Sequence, residues 1–151
     1  MDVLVKKIVP LLVLLASCGG GGSDGPSERF IGLWKAQLVL TSNPCNVDLE
    51  GSGVQSSLTP TYQVNQAGRN IAVENLATKA TLTGATSENG ERFLATAAHT
   101  ISCLHGNIQI DIIFDNITCD DVDVTIAIRA DCPLDHPPSC EIRYEGTAHR
   151  S

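Results

Sequence analysis

Apolar and polar residues alternate along most of the chain from residue 31 onward. The alternation is clearest in residues 107–115, where every second residue is Ile or Phe and the residues between are mostly polar. A period of two is typical of a β-strand that buries one face, because successive side chains point to opposite sides. Eight such runs are present, and no convincing amphipathic helix is found between them: 31–41, 61–66, 71–74, 79–84, 92–101, 107–115, 121–129 and 141–149.

These runs predict an all-β domain. Turn residues such as those at 66–68, 88–90 and 105–107 separate them, and most of the connections are short. Sequential strands with one apolar face favour an antiparallel meander. Eight of them predict an up-and-down barrel, because closure leaves no strand edge exposed. A two-sheet β-sandwich is the alternative.

The first 18 residues carry a different pattern. Lys6 and Lys7 precede an apolar run over residues 8–16, and Leu15-Ala16-Ser17 leads into Cys18. A positive start followed by a short apolar segment predicts a signal peptide over residues 1–17. The tetrapeptide also resembles the lipobox of bacterial lipoproteins. A membrane-spanning helix, which needs about 20 apolar residues, and an ordinary cleaved signal, which needs no following cysteine, are the alternatives.

The lipobox resemblance implies a location. In that family the cysteine receives acyl chains such as palmitate, so Cys18 is the predicted lipidation site and the membrane contact. The protein is therefore expected in the bacterial cell envelope, and Gly19 after the cysteine favours the outer membrane where the organism has one. Residues 18–29 are expected to form the lipidated cysteine and a flexible Gly-rich linker. The β-barrel domain is expected over residues 30–151.

Charge restricts the partners. The chain has 10 basic and 17 acidic residues and a formal charge of −7. Removal of residues 1–17 takes away two lysines and one aspartate and leaves −8. A nucleic-acid-binding protein normally carries a basic face, and none is visible, so no nucleic-acid partner is expected. An acidic domain is repelled by anionic lipid, so the acyl chains should supply the membrane contact.

Six cysteines in a short exported chain predict disulfide bonds. In a meander, odd-numbered strands end at one rim, and this places Cys45, Cys103, Cys132 and Cys140 together. We therefore expect Cys132–Cys140 and Cys45–Cys103 bridges, with Cys119 left as a thiol in the opposite turn. No paired Cys or His spacing indicates a zinc site.

Gly32-Leu33-Trp34 resembles the Gly-x-Trp motif of lipocalins. The resemblance implies that Trp34 packs across the closed end of the barrel and that the other end opens onto a pocket for an apolar ligand. Alternatively, Trp34 fills a β core of any kind. Small inward residues such as Gly84 and Gly146 either leave a cavity or allow tight packing. The candidate ligand-lining residues are Trp34, Phe93, Ile110, Phe114 and Tyr144.

Little in the sequence indicates catalysis or a bound metal. Asp115, Asp120, Asp121 and Asp123 surround one turn, but their spacing matches no calcium loop, and a solvated acidic turn is favoured. His99 shares the inward parity of its strand, and only His105 and His136 are expected near each other. No nucleophile elbow, phosphate loop or HExxH motif occurs. We expect neither an enzyme nor a cofactor.

Three hypotheses for function remain at this point. The first is a lipid-anchored protein that binds a small apolar ligand inside the barrel. The second is a structural or interaction module of the envelope that contacts a protein partner through the rim loops 43–53 and 131–140. The third is an enzyme in which His105 or His136 meets a carboxylate.

Overall fold

Strands make up most of the chain that the computed structural model describes, which is residues 28–44, 54–100, 107–131 and 139–151. Within these ranges no helix is long and apolar enough to span a bilayer. The strands are β1 (Gly32–Ser42), β2 (Ser57–Leu58), β3 (Thr61–Ala67), β4 (Asn70–Asn75), β5 (Thr81–Thr86), β6 (Phe93–Thr100), β7 (Asn107–Asp115), β8 (Asp121–Asp131) and β9 (Ser139–Arg150).

The long strands close into an eight-stranded antiparallel barrel. Each of β3 to β8 pairs with the next strand in sequence, and β1 pairs with both β3 and β9. Trp34 of β1 accordingly lies between Tyr62 of β3 and Arg150 of β9. The predicted up-and-down barrel is therefore confirmed. The sandwich alternative is wrong, because the β1–β9 ladder joins the two ends of the meander.

Strand β2 is a continuation of β3 along the same side of β1. The amide of Ala36 donates to the carbonyl of Pro60 (2.9 Å), and the amide of Leu40 donates to the carbonyl of Ser56 (2.9 Å). The first bond connects the β1–β3 pairs to the β1–β2 pairs, and the second extends the β1–β2 contact by one residue. Pro60 has no amide hydrogen to donate, which breaks the regular strand pattern before Thr61. The sequence analysis did not predict β2 for this reason.

The alternating pattern places one apolar face of every long strand inside the barrel. In β7 and β8 the inward residues Ile112, Phe114, Val122, Val124 and Ile126 are buried, as the sequence predicts. The largest fully buried side chains are Phe30, Trp34, Leu38, Val64, Val73, Phe93, Ile112, Phe114, Val122 and Val124. Phe30 precedes β1 and is fully buried, so the core begins at the domain start that the sequence analysis places at residue 30.

Two inward glycines allow the barrel wall to bend. A Cβ atom on Gly84 of β5 would lie 1.8 Å from the carbonyl oxygen of Leu94 on β6. One on Gly146 of β9 would lie 1.9 Å from the carbonyl oxygen of Gln37 on β1. Glycine in a strand commonly marks such a close backbone approach or a barrel corner. The missing side chains therefore make room for the neighbouring backbone.

Both described cysteines are bonded. Cys119 and Cys140 are each part of a disulfide, and the part of the chain that the structure describes contains no free cysteine. The expectation that Cys119 is a free thiol is therefore wrong. Cys45, Cys103 and Cys132 lie outside the described residues, so the Cys132–Cys140 and Cys45–Cys103 pairings stay predictions.

Candidate functional site

One end of the barrel is filled by aromatic rings. We call it the packed end; it contains the start of β1, the end of β7 and the end of β9. The rings of Phe93 and Phe114 are stacked with centroids 4.6 Å apart. Phe30 meets Phe93 edge-on at 4.8 Å, and Trp34 meets Phe114 edge-on at 6.0 Å. Such offset and edge contacts are favourable beyond the area they bury, so this end is a closed core.

Polar contacts hold Trp34 in the packed end. Its indole Nε1 donates to the carbonyl of Phe30 (2.8 Å). The guanidinium of Arg150 lies 4.7 Å from the centroid of the Trp34 ring, in a cation–π contact. Arg150 also donates to the carbonyl of Arg29. Phe30 from before β1 and Arg150 from the end of β9 thus both contact the same indole.

A few buried polar groups lie among these rings. Gln66 accepts from the amide of Phe30 (3.4 Å) and donates to the carbonyl of Gly68 (2.8 Å). The Oγ1 of Thr86 is buried and has no hydrogen-bond partner. Burial raises the pKa of the Tyr62 phenol well above its usual value. These groups are neutral at physiological pH, so the packed end contains no buried charge among the described residues.

The opposite end is less filled. We call it the loop end, because the connections between β1 and β2, β6 and β7, and β8 and β9 lie there. Five inward apolar side chains at this end are only half-buried, although they pack against the core: Leu40, Leu58, Ala97, Ile110 and Ile128. Ile112 and Ile126 lie one inward position deeper on the same strands and are 1 % and 6 % exposed.

The half-buried residues, which together we call the half-buried surface, lie on two parts of the wall that the buried side chains of Ile142 and Tyr144 on β9 separate. Ala97 on β6, Ile110 on β7 and Ile128 on β8 occupy consecutive positions of one register row. Leu40 and Leu58 lie near the β1–β9 seam, beside Tyr144 and Leu38. The inner wall of the loop end is therefore apolar at each of these positions and incompletely covered by protein.

The five predicted ligand-lining residues separate into two groups. In the packed end, Trp34 and Phe93 each contact the ring of Phe114. Tyr144 is buried, and its hydroxyl donates to the carbonyl of Gln55 (2.9 Å). Ile110 alone lies in the half-buried surface. Sequence reasoning missed Leu40, Leu58, Ala97 and Ile128 as lining candidates, and their inward parity near strand ends was the available signal.

A chain of charged side chains crosses the outer face of β6 to β9. Asp111 is 6 % exposed and accepts from Thr96 (2.8 Å), Gln109 (2.9 Å) and Arg129 (2.5 Å). Glu141 accepts from Arg129 (2.7 Å). Burial acts to raise the pKa of Asp111, but the Gln109 and Thr96 hydrogen bonds and the Arg129 charge outweigh it and lower that pKa.

Glu141 extends this chain of charges to β9. It accepts from Arg143 at 2.6 Å, and the hydrogen bonds from Arg143 and Arg129 lower the pKa of its carboxyl. We refer to Asp111, Arg129, Glu141 and Arg143 as the charge ladder. The sequence analysis assigned these positions to solvent, but Asp111 is buried beneath its partners. The ladder joins β7, β8 and β9 and stabilises the wall beside the loop end.

The other candidate residues do not form a site in the described chain. At the acidic turn Asn116 donates to Asp123 (2.8 Å), and His149 pairs with Asp121. No group of three or more metal-binding side chains occurs among the described residues. His105 and His136, the side chain of His99 and most of loops 43–53 and 131–140 lie outside them, so the catalytic and loop-docking hypotheses stay predictions.

Surface depressions accompany both glycine bends. One of about 570 Å³ is lined by residues of β3, β4 and β5, including Ala72 and Gly84. One of about 400 Å³ is lined by residues of β9, β1 and β2, including Val39, Leu58 and Gly146. Neither involves the aromatic rings of the packed end.

Comparisons with protein-family models, with curated proteins and with solved structures find no match to this chain.

Proposed function

We propose that the protein is a lipid-anchored component of the bacterial cell envelope that holds a small apolar ligand in the loop end of its barrel. The observation that carries the binding proposal is the half-buried surface of Leu40, Leu58, Ala97, Ile110 and Ile128. Binding sites for small molecules are typically concave and mostly apolar. A ligand that covers this surface gains about 25 cal/mol for each Å² of apolar area removed from water.

The surface also restricts the ligand's chemistry. Its five side chains carry no hydrogen-bonding or charged group, so they favour a ligand whose inserted part is a hydrocarbon chain or ring. A charged group inserted among them would lose its hydration without a partner, at a cost of several kcal/mol. Any polar group of the ligand should therefore stay at the rim.

The proposed anchor has a consequence for orientation. The described chain enters the barrel at Phe30, in the packed end, and the lipid-bearing Cys18 precedes it in the sequence. The linker between them is of the flexible Gly-rich class, and nine residues reach about 15–18 Å. The tether therefore joins the barrel at its closed end, which favours a loop end that points away from the bilayer.

Binding is tested with an uncharged apolar fluorophore, N-phenyl-1-naphthylamine, titrated against the soluble domain. Ala97→Trp adds a bulky ring at an inward, half-buried position and should weaken the affinity at least about tenfold. Ala98→Trp adds the same ring at the next, outward and exposed position and should leave the equilibrium affinity unchanged. Equal affinities for wild type and both variants, or no binding by wild type, would contradict the proposal.

The anchor is tested separately by detergent-phase partition of the full chain. Wild type should enter the detergent phase, and Cys18→Ser should stay in the aqueous phase because it lacks the acylated sulfur. Peptide mapping of the Cys119 disulfide provides an independent check. A Cys119–Cys18 bridge would contradict the anchor, since one sulfur cannot hold both a disulfide and an acyl thioether.

A further inference from the structure

The ladder between β5 and β6 ends before the strands do. It contains four residue pairs, from Thr86↔Phe93 to Thr83↔Thr96. Strand β5 begins two residues earlier, at Thr81, and β6 continues to Thr100. Both strands are therefore extended beyond the last pair without being paired to each other there.

Each strand keeps its other partner beyond that point. Thr81 and Leu82 stay paired with Glu74 and Val73 of β4. Ala97 and the following residues of β6 stay paired with β7, starting with Ala97↔Ile110. Among the described strands no other strand pairs with this edge of β6. Ladder pairing between β5 and β6 is thus absent at this place, while the sheet on either side stays paired. We call the region between 81–82 and 97–98 the β5–β6 split.

Gly84 accounts for the split. The backbone of β6 at Leu94 occupies the place where a Gly84 side chain would point, so the two strands approach unusually closely there. Strands that cross closely at one point diverge beyond it, so this contact explains why pairing ends on its loop-end side. Ladder hydrogen bonding ends one residue beyond Gly84, at Thr83, in agreement with this close contact.

The split borders the half-buried surface. Ala97 lies both on the inner side of the split and in the same register row as Ile110 and Ile128. The outer side of the split is formed by Thr81 and Ala98, which are exposed. Alanine side chains fill little of the space between the strands, and the only large side chain there is the buried Leu82, 5 % exposed.

We infer that the β5–β6 split is the lateral entrance through which an apolar ligand reaches the loop end of the barrel. This inference rests on the proposed function and specifies its route. Passage between two strands needs no ladder hydrogen bonds to break here, whereas passage between any fully paired strands would leave buried backbone groups without partners. The small apolar side chains on β6 suit a narrow hydrocarbon and exclude a hydrated, charged group.

Stopped-flow mixing of the soluble domain with N-phenyl-1-naphthylamine tests the route. Ala98→Trp places a bulky side chain on the outer side of the split and should slow association and dissociation alike, by about tenfold, with an unchanged Kd. A barrier on the path changes both rates equally, whereas a contact with the bound ligand changes their ratio. Ala85→Trp is the matched control, because Ala85 is also exposed but lies opposite Leu94 in the paired part of the ladder.

Leu82→Ala provides the opposite change. It removes the one large side chain at the split and should speed both rates. If Ala98→Trp and Leu82→Ala keep wild-type rates while Ala97→Trp still weakens binding, the lateral route is wrong and the binding site stands. A changed Kd in Ala98→Trp would also overturn the route. If the wild-type protein does not bind the fluorophore, both the proposed function and the lateral route are wrong.

Discussion

The two ends of the barrel differ although the same strands build both. At the packed end Phe93 and Trp34 each contact the ring of Phe114, and all three side chains are at most 1 % exposed. At the loop end Ile110 and Ile128 point inward from the same sheet but stay half-buried. The two ends differ in how completely side chains fill the interior, because the inward-pointing residues are apolar at both ends. Parity decides which face is inside, and side-chain volume decides whether the inside is full.

Under the proposed function, this difference separates stability from binding. The packed end is closed by Phe30 from before β1 and by Arg150 from the end of β9, so it depends on contacts distant in sequence. The loop end keeps apolar surface that its own side chains do not cover. Substitutions should therefore affect the two ends differently, in stability at one and in ligand affinity at the other.

The largest loss of stability is expected at the two glycines where the backbone of one strand closely approaches the neighbouring strand. Gly146→Ala and Gly84→Ala would each place a methyl group within 2 Å of a carbonyl oxygen. The strand has to move to relieve this overlap, and we expect destabilisation of more than about 4 kcal/mol or failure to fold. Urea unfolding followed by circular dichroism measures the loss.

Gly68→Ala is the control for this prediction. Gly68 has a φ of +59° but no atom within 4 Å of an added methyl group, so only backbone strain of about 1–2 kcal/mol is expected. If all three glycine variants lost the same stability, the close approach of the strands would not be the reason for the glycines at 84 and 146.

The next largest effect compares matched truncations at the two ends. Phe114→Ala removes a fully buried ring from the packed end and should cost about 3–5 kcal/mol. Ile110→Ala removes a half-buried side chain from the loop end and should cost about 1–2 kcal/mol, because part of its area is already in contact with water. Unfolding free energies of equal size would contradict the unequal filling of the barrel.

Most of the fold could be predicted from the sequence, and the filling of the barrel could not. The alternation in residues 107–115 and 121–129 is broken only by Ile113 and Ala127, so it identifies β7, β8 and their inward faces. Strand β2 was missed because Pro60 interrupts the pattern. The alternation places Asp111 on the outer face of β7, but it does not show that neighbouring side chains on that face cover it. Four of the five predicted ligand-lining residues are aromatic, and large aromatic side chains are the ones that fill a core.

A smaller effect is expected from the charge ladder beside the loop end. Asp111→Asn leaves Arg129 without its buried partner and should cost about 1–2 kcal/mol at pH 7. The pKa values of Asp111 and Glu141 are lowered in the folded protein. The unfolded chain therefore binds more protons, and the ladder's contribution is present above the unfolded carboxyl pKa of about 4 and is lost as pH falls below it.

Urea midpoints of wild type and Asp111→Asn at pH 7 and near pH 3 measure this dependence. The difference between the two proteins should shrink at the lower pH. Glu74→Gln is the control, since Glu74 pairs with Lys79 on an exposed surface at 3.4 Å and should change stability by about 0–0.5 kcal/mol. A stability difference for Asp111→Asn that is independent of pH would show that its charge has no role.

The smallest effect is expected at the rim of the packed end. Arg150→Gln removes the guanidinium from the face of Trp34 and should cost about 0.5–1 kcal/mol. Because the contact lies at the end away from the half-buried surface, the affinity for N-phenyl-1-naphthylamine should not change. A loss of affinity without a loss of stability would indicate that the ligand contacts the packed end.

Methyl NMR of isoleucine-labelled protein tests the difference between the two ends most directly. Ile110 pairs with Ile128, and Ile112 pairs with Ile126 one inward position deeper. On addition of an apolar ligand, we predict intermolecular contacts and large shifts at the methyl groups of Ile110 and Ile128, with Ile112 and Ile126 nearly unchanged. Contacts at Ile112 and Ile126, or no response at any of the four, would contradict a ligand site in the loop end.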